Sequence, residues 1–409
     1  MANPIPPLRT GHGLALLEGS GEYFPALVAA IDAARREAWL ETYIFDFTGS
    51  SAQVAEALER AARRGLDVRV VVDGFGSDPV PDDWRDRLVA AGVQWRVFAP
   101  PGRFGLLRLR GWRRLHRKLV QIDGEVAFCG GINVLDDLHD PNHGALEAPR
   151  LDFAVRVTGP LVADARLAMQ QLWSRMRAFQ DLRRGGLRDA ITALREQVAR
   201  PGRRRTARVG PPDITKRARA ALALRDNLRH RASIERAYLR AIGRAREEVV
   251  IANAYFAPGH RMRRALVEAA SRGVRVVLLL QGRYEYFLQY YAARPVYGAL
   301  LRAGVAIHEY SPSFLHAKVA VVDGRWATVG SSNIDPLSLL LAREANVVIE
   351  DEDFAQRLRE RLLLAVAQEG GAMDAALYAQ RPWHERLREG VALALMRLAL
   401  VVHGKRTYW

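Results

Sequence analysis

The sequence predicts a duplicated α/β fold, two similar domains in tandem, and three observations lead there. The chain has 409 residues, 49% of them apolar and 26% charged, which is a folded composition and enough length for two or three cores. Residues 116–133, HRKLVQIDGEVAFCGGIN, align without a gap with residues 316–333, HAKVAVVDGRWATVGSSN, at an offset of 200. Within each half, helix-period segments alternate with short apolar runs, the pattern of an α/β fold. The similarity extends upstream: AIDAARREAWLETYIF from Ala30 resembles AIGRAREEVVIANAYF from Ala241. GLDVRVVVDG from Gly65 matches GVRVVLLLQG from Gly273, and AGV recurs at Ala91 and Ala303. A repeat of about 160 residues is a duplicated domain and no short-period solenoid.

The elements follow in the same order in both halves. A helix over 24–36 or 234–247 leads into an apolar run at 38–45 or 249–256 that reads as a buried strand. A second helix, 52–64 or 260–271, ends at Gly65 or Gly273 and feeds a Val-rich strand, as glycine-capped connections do. Next comes a strand, an Asp-Gly turn at 123/124 or 323/324, and a second strand. Between the halves the pattern breaks in Gly, Pro and Arg, so the domains are expected at 1–182 and 214–409, with a basic linker at 183–213. The carboxyl-terminal VALALMRLALVVHGKR is too short to span a bilayer and reads as a docking or core helix.

Composition narrows the function classes. A single cysteine, Cys129, excludes an internal disulfide framework and a Cys zinc site, and fits a reducing compartment. No stretch has the roughly 20 apolar residues of a membrane span, and the start lacks the apolar core of a signal peptide. A soluble or peripheral protein is expected. Of the net charge of +16, residues 183–231 carry +11, fifteen Lys and Arg against four Asp and Glu. Such a field attracts a nucleic acid or an anionic lipid leaflet alike.

Chemistry concentrates in one motif. His116, Lys118 and Asp123 form H-x-K-x4-D, and His316, Lys318 and Asp323 form it again. Ten His and four Lys placed at random give about 0.1 H-x-K pairs, yet two occur, at equivalent places in the repeat. Half of the lysines of an Arg-rich chain therefore sit here, where a compact ammonium is wanted. On a strand, residues i and i+2 share a face, so each His and its Lys look the same way. The glycine-containing loops that end in Asn133 and Asn333 offer backbone N–H groups, amides and the Ser331 hydroxyl to a phosphate.

The two H-x-K-x4-D motifs, each followed by Gly130-Gly131-x-Asn133 or Gly330-Ser331-x-Asn333, resemble the phospholipase D superfamily over nearly the whole chain. LETYIF, RDNLRHR, VVIANAYF and ATVGSSNIDPLSL are similar to its bacterial cardiolipin synthase B branch. The resemblance implies two α/β/α sandwich domains related by a pseudo-twofold axis, with one active site between them. It implies phosphatidyl transfer between two phosphatidylglycerol molecules, giving cardiolipin and glycerol, at the cytoplasmic face of the bacterial membrane. Hydrolysis of a phospholipid or nucleic acid phosphodiester is the alternative, with nucleic acid the less expected substrate.

One imidazole would attack phosphorus while the other, protonated, serves the departing alkoxide. By family analogy His116 is the nucleophile and His316 the acid, with Lys118, Lys318, Asn133, Asn333 and Ser331 holding the nonbridging oxygens. Neither a metal nor another cofactor is called for, and no obligate protein partner is expected. Asp152 and Glu344, 36 and 28 residues after the motif histidines, match the family's histidine-orienting carboxylates. Asp123 and Asp323, although part of the motif, read as scaffold at a turn. His139 and His143 fall in a polar loop.

Two further segments bear on the substrate. Val93 to His116 is 23 positions and Val305 to His316 only 11, so the first half carries an insertion. It holds Arg103, Phe104, Arg108, Arg110 and Trp112 and no acid, which suits docking to an anionic membrane, contact with a nucleic acid, or an amphipathic helix packed on its own domain. The aromatic run with Tyr284, Tyr286, Phe287, Tyr290, Tyr291 and Tyr297 reads as an interfacial belt or as core.

Overall fold

A computed structural model describes residues 6–77, 79–100, 113–140, 143–183, 218–226, 232–283, 287–335 and 342–402. The strands of the first half are β1 Gly13–Glu18, β2 Glu37–Thr42, β3 Asp67–Asp73, β4 Gln94–Phe98, β5 Arg114–Leu115, β6 Lys118–Ile122, β7 Val126–Gly130, β8 His139–Asp140, β9 Gly144–Ala145 and β10 Phe153–Thr158. Those of the second are β11 Arg219–Arg225, β12 Glu248–Asn253, β13 Arg275–Gln281, β14 Ala306–Tyr310, β15 Lys318–Val322, β16 Trp326–Gly330, β17 Ala342–Glu350 and β18 Gly370–Ala372.

One sheet runs β1-β10-β7-β6-β2-β3-β4 and the other β11-β17-β16-β15-β12-β13-β14, with β18 added at the far edge. The two orders correspond strand for strand. In each, β2-β3-β4 or its counterpart is parallel and the remainder antiparallel. The repeat read from 18 aligned residues thus covers the full sheet, including the edge strands β1 and β11, which sequence periodicity did not reveal. The proposed linker at 183–213 falls, after Arg183, outside the described residues.

Local sequence explains the connections. Helix Ala52–Arg63 buries Val54, Ala55, Ala57, Leu58, Ala61 and Ala62 on one face. It stops because Gly65 takes φ +84°, with its N–H on Ala62 O at 2.8 Å and Leu66 N–H on Ala61 O at 3.3 Å. Gly273 repeats this at φ +84° after helix His260–Ser271. A residue with a Cβ would strain either turn.

The helices lie on both faces of the sheets. Those of the first half close a core around Phe24, Leu27, Leu40, Leu58 and Phe128, and those of the second close one around Ile234, Ile251, Leu266, Leu278 and Leu300. A third core contains residues of both halves, among them Leu119, Cys129, Phe153 and Val155 with Val319, Val329, Val347 and Phe354. This shared core presses β7 and β10 against β16 and β17, and so fixes the strand ends that carry the motifs.

Candidate active site

Each motif histidine is held by the opposite half. His116 precedes β6, and its N–H donates to Arg343 O at 3.0 Å, while β5 beside it pairs in parallel with Ala342 and Arg343 of β17. His316 N–H likewise donates to Leu151 O at 3.0 Å. Arg343 and Leu151 are the residues directly before Glu344 and Asp152. The crossing of the backbone therefore delivers each carboxylate to the histidine of the other half. His116 Nδ1 lies 3.1 and 3.2 Å from the two oxygens of Glu344, and His316 Nδ1 lies 2.6 Å from Asp152 Oδ2. Sequence proximity suggests pairing within each half; the geometry replaces it with exchange. With Nδ1 occupied in each ring, Nε2 is the nitrogen left for chemistry.

Two further groups hold the loops ahead of the histidines. Asp73 Oδ2 accepts Leu115 N–H at 2.7 Å, and Gln281 Oε1 accepts Leu315 N–H at 3.0 Å. Both stand at the end of a parallel strand and at equivalent points of VVVDG and LLLQG. Sequence reading passed them over, although their alignment in the repeat was the available signal. Tyr43 was also missed. Its ring lies against His116 with centroids 4.9 Å apart, and Lys118 Nζ is 5.3 Å from the same ring.

Each motif lysine stands against the histidine two positions before it. Lys118 Nζ donates to His116 O at 2.8 Å and Lys318 Nζ to His316 O, and both side chains are buried. Burial works against the charges of Lys118, Asp152 and both imidazoles. It pushes Lys118 down to about 7, with Lys318 as the second cause, and pushes Asp152 up to about 7. Both imidazoles are driven below their ordinary value by burial and then by the adjacent lysines, His316 more strongly. An anion entering between the lysines reverses the balance, because it supplies the opposite charge that burial otherwise denies them.

The remaining predicted residues divide. Ser331 donates to Glu344 Oε2 and accepts Ala345 N–H at 3.1 Å, so its hydroxyl fixes the carboxylate behind His116 and is not presented to phosphate. The loop amides are likewise engaged, Gly131 N–H with Phe153 O at 2.9 Å and Ser331 N–H with Ala345 O at 3.0 Å. Gly131 has a different use: a Cβ there would lie 2.1 Å from Asp152 Oδ1. Asn133 Oδ1 accepts Ile44 N–H at 3.1 Å and Asn333 Oδ1 accepts Tyr255 N–H at 3.4 Å. Any contact of theirs with a phosphate would therefore come from the amide NH2 groups.

Asp123 and Asp323 stand apart from this chemistry. Each follows a five-residue strand that starts at the motif lysine, about 16 Å along the hairpin. Each takes a positive φ, 55° and 50°, followed by glycine in a tight turn. The Asp123 carboxylate accepts the N–H groups of Arg35, Arg36 and Glu37 at 2.8 to 2.9 Å, and Asp323 accepts those of Arg246, Glu247 and Glu248. They lock the hairpin to the start of β2 or β12.

His143 hydrogen-bonds Asp140 at 2.9 Å, and among the described residues no three His, Cys, Asp or Glu gather as a metal would require. Arg103, Phe104, Arg108, Arg110 and Trp112 lie outside the described residues, as do Tyr284 and Tyr286. Tyr297 is core at 5% exposure, whereas Tyr290 and Tyr291 are half-buried.

Comparison with known proteins identifies the family. The family model described as "Cardiolipin synthase, PLD-like domain" matches residues 27–145 and 238–363, one copy around each motif. The chain is 38% identical to cardiolipin synthase B of Escherichia coli K12 over 390 residues, 95% of this chain and 89% of that protein. It is 29% identical to a cardiolipin synthase of Geobacillus kaustophilus over 96% of this chain and 73% of that one. Among solved structures, phosphatidylserine synthase of Haemophilus influenzae shares the fold, with a TM-score of 0.68 at 13% identity over 98% and 97% of the two chains. Polyphosphate kinase of Porphyromonas gingivalis aligns with a TM-score of 0.53 at 14% identity, over 89% of this chain and 49% of that one. With two matched domains, a near full-length relative well above 30% identity and the paired motifs at one interface, the chain belongs to the cardiolipin synthase family of phospholipase D-like enzymes.

Proposed function

We propose that this chain is a cardiolipin synthase, transferring a phosphatidyl group from one phosphatidylglycerol to a second, with release of glycerol. The observation that carries the reading is the exchanged pair of carboxylate-held histidines flanked by two buried lysines. Nε2 of His116 attacks phosphorus, and His316 donates a proton to the departing glycerol oxygen, leaving a phosphatidyl-histidine. The primary hydroxyl of a second phosphatidylglycerol then gives its proton to His316 and attacks phosphorus, and His116 leaves. Lys118 and Lys318, with the amide groups of Asn133 and Asn333, bind the nonbridging oxygens, whose charge grows in each transition state.

The acid is supplied by a pair. Asp152, pushed up to about 7, sits 2.6 Å from His316, so the two together hold one extra proton up to near neutral pH. Proton loss from that pair and from Lys118 both occur as pH rises through about 7 in the empty site. A bound phosphodiester favours the protonated lysine, so binding takes up a proton above that pH. The dissociation constant of glycerophosphoglycerol, a diester of constant charge, is expected to rise by up to about tenfold per pH unit above 7. Titration calorimetry between pH 6 and 9 measures it; a constant affinity would mean that Lys118 stays charged without the anion.

Transfer competes with hydrolysis for the same intermediate, and water is the commoner nucleophile. A synthase must place a lipid alcohol and limit water. Vesicles of phosphatidylglycerol are therefore expected to give cardiolipin in excess of phosphatidic acid, and added glycerol to return cardiolipin to phosphatidylglycerol. Predominant phosphatidic acid, unchanged by glycerol, would assign a hydrolase, and scission of DNA with no lipid product would move the substrate to nucleic acid. Among the described residues no helix is long and apolar enough to cross a membrane, and the reading places the protein peripherally on the cytoplasmic leaflet.

A further inference from the structure

Helix Trp383–Val402 has two unlike faces. Glu389, Ala392 and Met396 are buried, and the helix packs along helix Phe287–Arg302. On the opposite side Trp383, Leu387, Val391, Leu395 and Leu398 are 47 to 71% exposed. Spaced by four, four, four and three residues, they fall within an arc of about 120° and form a continuous stripe. Arg386 and Arg388, both exposed, flank it on either edge. A helix that seals a soluble domain turns a polar face outward; this one turns five large apolar side chains to solvent.

We propose that this stripe is the surface by which the enzyme lies on an anionic phospholipid bilayer, parallel to the membrane plane. Three features select lipid as the occupant. Arg386 and Arg388, exposed on the edges of the helix, put positive charge beside an apolar stripe that begins with a tryptophan. The helix cannot cross a bilayer, so its apolar face is suited to lie within the headgroup region. Five side chains are also far fewer than the roughly 20 to 30 residues a side of a stable protein interface.

Position completes the argument. The underlying helix Phe287–Arg302 contributes Tyr290, Ala293, Arg294 and Tyr297 to a cavity shared with Tyr255 and Gln281. Gln281 holds the backbone next to His316, and Tyr255 N–H is bonded to Asn333. A bilayer on the stripe is thus one helix away from groups that build the site. The inference rests on the phosphatidyl-transfer reading, since a lipid substrate is what gives such a surface its use.

The test compares the full chain with its Leu387→Glu/Leu395→Glu variant in flotation with vesicles of phosphatidylglycerol and phosphatidylcholine. Partition is expected to weaken at least tenfold, while turnover of a soluble short-chain phosphatidylglycerol stays unchanged. A dye on Leu395→Cys, in a chain whose own Cys129 is buried, should shift to the blue on addition of anionic vesicles. Unchanged partition together with an unshifted dye would overturn the proposal. So would a wild-type dimer that the variant converts to monomer with vesicle binding intact, which would make the stripe a contact between copies. Absence of turnover on the soluble lipid by the wild type would instead overturn the reaction, leaving flotation to decide the surface.

Discussion

Replacing His116 or His316 by alanine is expected to lower turnover of phosphatidylglycerol by about 10^4-fold or more, because nucleophile and acid act as one unit. The two losses have different origins, and a substrate with an activated leaving group separates them. A phosphatidyl p-nitrophenyl ester needs no proton on its leaving oxygen. His316→Ala should therefore still release a burst of nitrophenol and accumulate phosphatidyl-histidine, whereas His116→Ala should do neither. The opposite pattern would exchange the roles of the two histidines. Near-normal turnover in either variant would mean that the halves do not share a site.

Removing the charge of an orienting carboxylate is expected to cost about 10^3-fold in turnover, for Asp152→Asn and for Glu344→Gln alike. An amide can present its NH2 to Nδ1 and so stabilise the wrong tautomer, leaving the proton on Nε2 where the nucleophile or base needs a lone pair. Because the carboxylates are exchanged between halves, the spectroscopic effect should be exchanged as well. In ¹⁵N spectra of the imidazoles, Asp152→Asn should move the resonances of His316 and leave those of His116 nearly in place, and Glu344→Gln should do the reverse. Response of the histidine in the same half would contradict the crossed pairing. Loss of activity with unmoved spectra would show that the carboxylates act by some route other than the tautomer.

Much of this site was legible because its chemistry is local. His116 and Lys118, or His316 and Lys318, are two positions apart, and two residues of extended chain are enough to set their common direction. The Asp-Gly turns were legible for the same reason: both residues of each turn adopt positive φ, which Asp tolerates and Gly permits. Their carboxylates each accept three backbone N–H groups far from the lysines, a contact that fits the scaffold reading of a turn residue. Ser331 was misplaced because a hydroxyl beside a glycine loop looks the same in sequence whether it faces a phosphate or a buried carboxylate.

What the sequence alone determined is the repeat, the α/β alternation and the paired His and Lys on which the proposed chemistry rests. Each follows from short-range spacing or from residue chemistry. What only the tertiary structure decided is which half supplies each partner. Glu344 meets a histidine 228 positions away, Asp152 one 164 positions away, and Asp73 and Gln281 act on loops 42 and 34 positions downstream. No periodicity encodes such distances. They arise because the shared core presses β7 and β10 onto β16 and β17, and the backbone of each half then hydrogen-bonds the loop that carries the other's histidine. The same holds for the last helix, which reads in sequence as docking or core until packing against helix Phe287–Arg302 covers one face and leaves the other to the surroundings.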